Sequence, residues 1–242
     1  MKRDERMTAQ SPPLREHGLT WLAIFVLGVG FAMALFYAET DQQGHVQRLF
    51  YIHMPSFFGA LLAFSITVYA SIRYLRSRAV KWDMLAVVGV EVGLLLALIN
   101  LVTGAIWARP IWATWWNWDP RLTWDAIMIL TYAAYGVLRG AVENVETRRR
   151  FAAVYGILAI FTAIMTLIII RIRPDTMHPA VIGPSAQEAR GSFDASPTMQ
   201  ITLLVNLLGW ALLLPIVLMR WRYRLQQMSE RLEQLRQQWF EA

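Results

Sequence analysis

Apolar residues along this chain gather into six long runs separated by short polar stretches, at about 19–38, 50–72, 84–106, 121–141, 151–170 and 199–219. A hydrocarbon layer of ~30 Å takes ~20 mostly apolar helical residues. Each run therefore predicts a membrane-spanning helix. The first run follows a polar segment with four basic residues. It is too long for a signal peptide and lacks a convincing cleavage site, so it reads as an uncleaved first span. The pattern changes after residue 219. Leu225, Met228, Leu232, Leu235 and Trp239 are spaced 3, 4, 3 and 4, a heptad seam with no Gly or Pro in the tail. The expected fold is an all-α integral membrane protein. Residues 1–219 form a six-helix bundle, and 220–242 form an amphipathic helix that continues or closely follows the sixth span. Two uses of the seam stay open: contact with a protein partner, or a helix lying on the membrane and anchored by Arg220, Arg222 and Arg224.

Composition removes the soluble alternative. Hydrophobic residues make up 56% and charged residues 17% of 242, where soluble domains carry roughly 25% charged residues; mean hydropathy is +0.38. The absence of cysteine excludes disulfides, thiolate metal sites and cysteine nucleophiles. A net charge of +6 does not point to nucleic acid, because the basic residues sort by topology. Of 23 Lys and Arg, 17 lie in the N-terminal segment, 72–83, 139–150 and the C-terminal tail; the alternate connections hold six. Both termini are thus expected in the cytoplasm, with 39–49, 107–122 and 171–198 on the outer face.

One outer connection is unusual. Six of eleven tryptophans fall within 107–125, WARPIWATWWNWDPRLTWD. An aromatic belt at the membrane interface accounts for Trp21, Trp82, Trp210 and Trp221, which sit singly near span ends. It accounts less well for a cluster. Trp112, Trp115 and Trp116 fall at i, i+3 and i+4, and Pro110 precedes them. The spacing predicts a short helix over 111–118, lying along the outer surface with an aromatic face for a flat apolar ligand. Asp119 followed by Pro120 predicts the N-terminus of the fourth span.

The histidines fall on the same side. His17 and His45 show no site signature. His53 lies roughly 6 Å below the outer end of the second span, and His178 follows the fifth. Taken singly, each reads as a hydrogen-bonded structural residue; together, beside an aromatic platform, they suit the two axial positions of a haem iron. Arg109 and Arg121 are candidates for its propionates, with Arg48, Arg171 and Arg173 behind them; headgroup anchoring is the alternative for each.

WATWWNWDPRLT resembles the tryptophan-rich signature of the haem-handling proteins of cytochrome c biogenesis. Within that superfamily, six spans in about 240 residues, with one His on each outer segment flanking the signature, resemble the haem exporter protein C family. The resemblance covers nearly the whole chain. It implies a carrier, not an enzyme, in the cytoplasmic membrane. Such a carrier holds non-covalent haem b at the outer face and passes it to a membrane-tethered haem chaperone. It also implies ATP-binding-cassette subunits and a very small single-span subunit as partners, besides membrane lipid. Carried over by position, His53 and His178 are the axial ligands, and Trp107, Trp112, Trp115, Trp116 and Trp118 with Asp119 form the platform. One departure stands out. Family members commonly place Gly after the first two signature tryptophans, where this chain has Ala108 and Ala113, and Ala disfavours positive φ.

Two acids complete the reading. Glu91 lies inside the third run towards the cytoplasmic side; partner contact, pairing with an Arg such as Arg139, and protonation are all open. Asp125 sits near the outer N-terminus of the fourth run, where the helix dipole favours an anion in a structural role. Competing functions fit less well. A two-haem cytochrome b needs histidine pairs for a second haem. A solute permease needs polar groups near the midplane beyond Glu91 and Asn100. A haem ligase needs large outer domains that the chain lacks.

Overall fold

The computed structural model describes residues 17–40, 43–173, 175–178 and 195–241. Most of the long outer connection expected at 171–198 lies outside them. Every regular element among the described residues is helical. They are α1 (Gly18–Phe36), a 3-10 turn (Gly44–Leu49), α2 (Phe50–Ser77), α3 (Val80–Trp112), α4 (Pro120–Ala141), α5 (Val145–Ile172), α6 (Pro197–Asn206), a π-helical segment (Leu207–Leu213) and α7 (Leu214–Glu241).

The helices begin where the sequence offers capping groups. Asp119 accepts from the N–H of Arg121 and Pro120 opens α4. Asn144 caps α5 through the N–H of Thr147. Ser196 caps α6 through the N–H of Met199, with Pro197 in the first position. Each satisfies one of the N–H groups that a helix start leaves without an internal partner. The helices also outrun their apolar cores. α3 reaches Trp112, six residues beyond the expected run, because Pro110 falls in its last turn and does not stop it. α6, the π segment and α7 form one continuous rod through Glu241, so the tail extends the last span directly.

Among the described residues, five helical stretches are long and apolar enough to cross a membrane: α1, α2 with its preceding turn, α3, α5 and the α6–α7 rod. The chain is an integral membrane protein. The expected span at 121–141 has its length in α4 but does not join those five on composition. Arg121, Asp125 and Arg139 all lie on α4 and lower its hydropathy. Its buried face, Asp125, Met128, Tyr132 and Tyr135, turns inward.

α2 is the centre of the bundle. It packs along α3, against α5 and against the π segment, while α4 closes on α5 and α1 on α6. Small residues allow this. Ala60, Ala63 and Ala70 of α2 are fully buried, and a Cβ on Gly59 would lie 2.5 Å from the Trp210 carbonyl oxygen, so only glycine lets the π segment approach there. Phe64 and Tyr132 stack at 3.5 Å between α2 and α4. Asn206 donates to the Gly30 carbonyl at 3.0 Å and ties α6 to α1.

Ion pairs gather at the end of the bundle where α3 starts. Asp83, 5% exposed, takes both ends of the Arg139 guanidinium at 2.7 and 3.0 Å and meets Arg149 at 3.4 Å. Glu91 is paired with Arg222 of α7, at 2.8 and 2.9 Å. Of the partners open to Glu91, Arg139 is engaged by Asp83, and the tail supplies the cation. The stripe of the tail, by contrast, is bare: Leu225, Met228, Leu232, Leu235 and Trp239 are all exposed.

The Asp83 carboxylate holds three helices, α3, α4 and α5, through two arginines. Removing one partner of a largely buried pair costs about 3 kcal/mol, because the remaining charges stay desolvated. Asp83→Ala is therefore expected to lower the thermal midpoint of the detergent-solubilised protein by about 6–12 °C. A midpoint equal to that of the unaltered protein would mean that the cluster contributes nothing.

Candidate functional site

The tryptophan-rich connection does not form the short surface helix expected over 111–118. α3 ends at Trp112, and Ala113 adopts a left-handed conformation (φ 55°). The backbone then runs through bends and irregular residues to Pro120. Helical i, i+3, i+4 spacing therefore has no meaning for Trp115 and Trp116, and the aromatic residues do not share one face. Ala113 is the second of the two alanines standing where glycine is usual in the resembled family. Its left-handed backbone costs an L-residue about 1 kcal/mol relative to glycine. The Arg109 guanidinium offsets part of this by donating to the Ala113 carbonyl at 2.7 Å. Ala108 stays helical and buried.

The tryptophans divide into two sets. Trp107 and Trp112, at the end of α3, each stand edge-on to a histidine. Trp107 lies 5.8 Å from His53 and Trp112 lies 4.9 Å from His178, at interplanar angles of 76° and 73°. Trp107 is fixed further by Phe50 and by an Nε1–H bond to Gln43 at 2.9 Å. Trp115 and Trp118 point outward, 58% and 75% exposed. Trp116 bridges the sets, half-buried and perpendicular to Trp118 at 5.7 Å.

Asp119 organises the connection. Its carboxylate accepts from the Arg121 N–H at 2.9 Å, from the Thr176 hydroxyl at 3.0 Å and from the Met177 N–H at 2.6 Å. His178 Nδ1 lies 3.2 Å away. Asn117 adds a second tie by donating to the Met177 sulfur. Asp119 is 6% exposed. Burial pushes its pKa up, but hydrogen bonds from His178 and from the Met177 and Arg121 amides outweigh this and bring it to about 2. The carboxylate is therefore an acceptor only, and His178 Nδ1 must carry a proton. Burial and the Arg121 charge lower the His178 pKa, against the pull of Asp119. The ring is neutral near pH 7, with Nε2 holding a lone pair.

His53 reaches the same state by other means. Its Nδ1 lies 2.9 Å from the Asn100 carbonyl, which only accepts, so Nδ1 again carries the proton. One hydrogen of the Asn100 amide goes to the His53 carbonyl at 2.7 Å and the Thr103 hydroxyl donates to Ile99 at 2.6 Å; the Asn100 amide nitrogen also lies 3.2 Å from His53 Nδ1, a longer contact than the 2.9 Å to the Asn100 carbonyl that sets the tautomer. The Cε1 edge of the ring lies against Gly104, where a Cβ would sit 2.8 Å from Cε1. Neither Nε2 enters a hydrogen bond among the described residues. Each imidazole, oriented through Nδ1 and with Nε2 outside any hydrogen bond among the described residues, is of a kind that can ligate a metal. The described residues contain no cluster of three or more His, Cys, Asp and Glu that would suit another kind of centre.

The arginines behave differently from one another. Arg109 is engaged with its own loop. Arg121 turns into the bundle, its guanidinium 5.2 Å from the Phe57 ring and 3.3 Å from the Thr166 carbonyl. From there its charge acts on His178. Asp125 lies buried one turn further along α4, with Oδ1 unpartnered among the described residues. Sequence reasoning missed Thr176 as the hydroxyl beneath Asp119, and Thr103 and Gly104 as the seat of His53. The available signal was Asn100-x-x-Thr103-Gly104, a turn of polar and small residues inside an otherwise apolar run.

A model of the Heme exporter protein C family matches residues 6–238. The chain is 33% identical over 216 residues to Heme exporter protein C of Haemophilus influenzae, covering 87% of this chain and 83% of that one. It is 30% identical over 201 residues to the Bradyrhizobium diazoefficiens protein of the same name, covering 81% and 73%. The match to the Paracoccus denitrificans protein of that name is 34% over 130 residues, about half of each chain.

The seat of His53 is open to a direct test. Gly104→Ala places a methyl group against the ring, which must tilt and break its bond to Asn100. Loss of such an outer hydrogen bond typically weakens a metal site by about 10–100-fold. Titration of the purified variant with haem is expected to show that weakening. Unchanged affinity and an unchanged absorption spectrum would remove His53 from the site.

Proposed function

The chain belongs to the Heme exporter protein C family, and on that premise we propose that it binds haem at the outer face of the cytoplasmic membrane and delivers it to a membrane-tethered haem chaperone for c-type cytochrome maturation. The observation that carries this reading is the matched state of His53 and His178. Each ring spends Nδ1 on a fixed acceptor, Asn100 or Asp119, and keeps Nε2 for a ligand. Axial coordination of one iron by both is the reading these rings support. The haem is non-covalent haem b, since the chain has no cysteine to form a thioether. Trp107 and Trp112, edge-on to the two ligands, would line the macrocycle. Arg121, whose charge reaches His178, is the first candidate for a propionate, with Arg109 at the rim.

Delivery needs an accessible edge as well as a grip. Trp115 and Trp118 are largely exposed and would form the surface on which the chaperone docks. The role is binding and hand-over, with no covalent step assigned to this chain. Asp119 acts beneath the site, holding the connection to 175–178 and fixing the His178 proton on Nδ1. The topology that goes with this has six spans, with α4 crossing beside α5 as the least apolar of them. Both termini lie in the cytoplasm, as the distribution of 17 basic residues against six favours. ATP-binding-cassette subunits and a small single-span subunit complete the assembly, and the 220–242 helix offers them its bare stripe on the cytoplasmic side.

His53→Ala and His178→Ala are each expected to lose the low-spin haem spectrum and most of the bound haem. Trp115→Ala and Trp118→Ala are expected to retain haem and slow its transfer to the purified chaperone. The reading fails if both histidine variants keep a wild-type spectrum with full haem content. It fails in its second half if the tryptophan variants transfer haem at the normal rate.

Deleting 225–242 is expected to leave the haem spectrum unchanged and to reduce recovery of the transporter subunits on affinity purification. Full recovery would assign the stripe to the membrane surface instead.

A further inference from the structure

The bare stripe of the tail helix has charged edges that the haem reading does not use. In heptad register Leu225, Leu232 and Trp239 take one seam position and Met228 and Leu235 the other, and all five are exposed. From Ser229 on, the positions that flank the seam are Ser229, Arg231, Arg236 and Gln238. Two are cationic and none is acidic. Arg231 and Arg236 are exposed, and Arg236 rests over the Phe240 ring at 5.7 Å. The glutamates of the same stretch, Glu230 and Glu233, fall on positions turned away from the seam. An apolar seam thus runs between basic edges, with the acids behind it.

The rod decides where this seam is presented. α7 runs unbroken from Leu214 to Glu241, with no Gly or Pro after Pro215. Its early turns are held to the bundle: Trp221 donates to the Thr20 hydroxyl of α1 at 3.0 Å, and Arg222 pairs with Glu91 of α3 at 2.8 Å. At ~1.5 Å per residue the seam extends from roughly 9 to roughly 30 Å beyond residue 219. Lying on the membrane surface would need a sharp kink, and the stretch contains none of the residues that cause one. A second copy in the same membrane can present its tail only in parallel. Parallel pairing would set Arg231 of each copy against Arg236 of the other, on both edges of the seam, and like charges there repel. We propose that the stripe binds an amphipathic helix of a different protein, whose own apolar seam is edged with Asp and Glu. The proposal rests on the partner-binding use of 220–242 given under the proposed function, and adds the chemistry of the partner. So short a seam is marginal by itself; continuity with the last span supplies the support.

Peptide binding to the full-length protein in lipid nanodiscs tests this. The probe is a labelled peptide of about three heptads with Leu at both seam positions and Glu at both edges; its control carries Lys at the edges. The Glu peptide is expected to bind about tenfold tighter than the Lys peptide, and Arg231→Glu combined with Arg236→Glu to reverse that order. Arg231→Lys combined with Arg236→Lys is expected to preserve it, and Leu232→Asp to abolish binding of both peptides. On affinity purification, the charge-reversed variant is expected to lose the transporter subunits as fully as deletion of 225–242 does. Failure of the Glu peptide to bind, equal binding of the two peptides, or a preference that survives charge reversal overturns the proposal. Recovery that falls on deletion but not on charge reversal overturns it too, while leaving the tail a partner-binding helix. Self-association abolished by Leu232→Asp would make the occupant a second copy. The chain has no cysteine, so a polarity-sensitive dye on Leu235→Cys reports on this position alone, and lipid-like emission without peptide would assign the stripe to the membrane. None of these readouts involves haem, so their failure leaves the haem reading standing.

Discussion

The end of the bundle where α3 gives way to α4 depends on one buried carboxylate. Asp119 starts α4, closes the tryptophan-rich connection and fastens the segment after α5, all through its two side-chain oxygens. An ionised group with so little solvent contact persists only because every neighbour is a donor. Hydrogen bonds to charged groups contribute roughly 1.5–3 kcal/mol each, so the set outweighs the cost of burial and holds the carboxylate ionised. That state has a chemical consequence at His178. An acceptor-only partner fixes the proton on Nδ1, and the bare Nε2 follows from it.

The two histidines reach the same protonation state on supports of different stiffness. His53 rests on α2, its Nδ1 held by the backbone of α3, with Gly104 as a floor. α2 and α3 pack along most of their length, so this half of the site has little freedom. His178 sits on an irregular segment fastened by Asp119, Thr176 and Asn117, against the last residue of α3. A ligand that must be held and then given up is well served by one rigid contact and one that depends on a few hydrogen bonds. On the proposed function, the exposed Trp115 and Trp118 would meet the recipient.

Much of this was legible in the sequence, for identifiable reasons. The apolar runs fall on the long helices among the described residues, and Asp119-Pro120 marked the start of α4, because capping is a local effect. The histidines stood out because intramembrane and interfacial imidazoles are rare. The misplaced feature was the helix over 111–118. Periodicity of three residues cannot establish a helix when an alanine takes a left-handed conformation beside them, and Ala113 does so in a context where glycine would have signalled it. Pro110 misled in the same place: it reads as a break, yet a proline in the last turn of a helix removes only one internal hydrogen bond. The pairing of Glu91 with Arg222 and the convergence of Thr176 on Asp119 join residues far apart in the chain, so no local pattern carries them. α4 shows a third limit. Arg121 and Arg139 turn to partners inside the bundle and Asp125 is buried there, and a hydropathy average does not register which way they face.

The central claim concerns where two protons sit. Nitrogen-15 NMR of the haem-free, full-length protein, labelled at histidine and assigned with the His53 and His178 variants, reads them directly. At neutral pH both rings are expected to be neutral, protonated at Nδ1, with the shift of an unprotonated nitrogen at Nε2. A protonated Nε2 on either ring, or a cationic His178, would contradict the account.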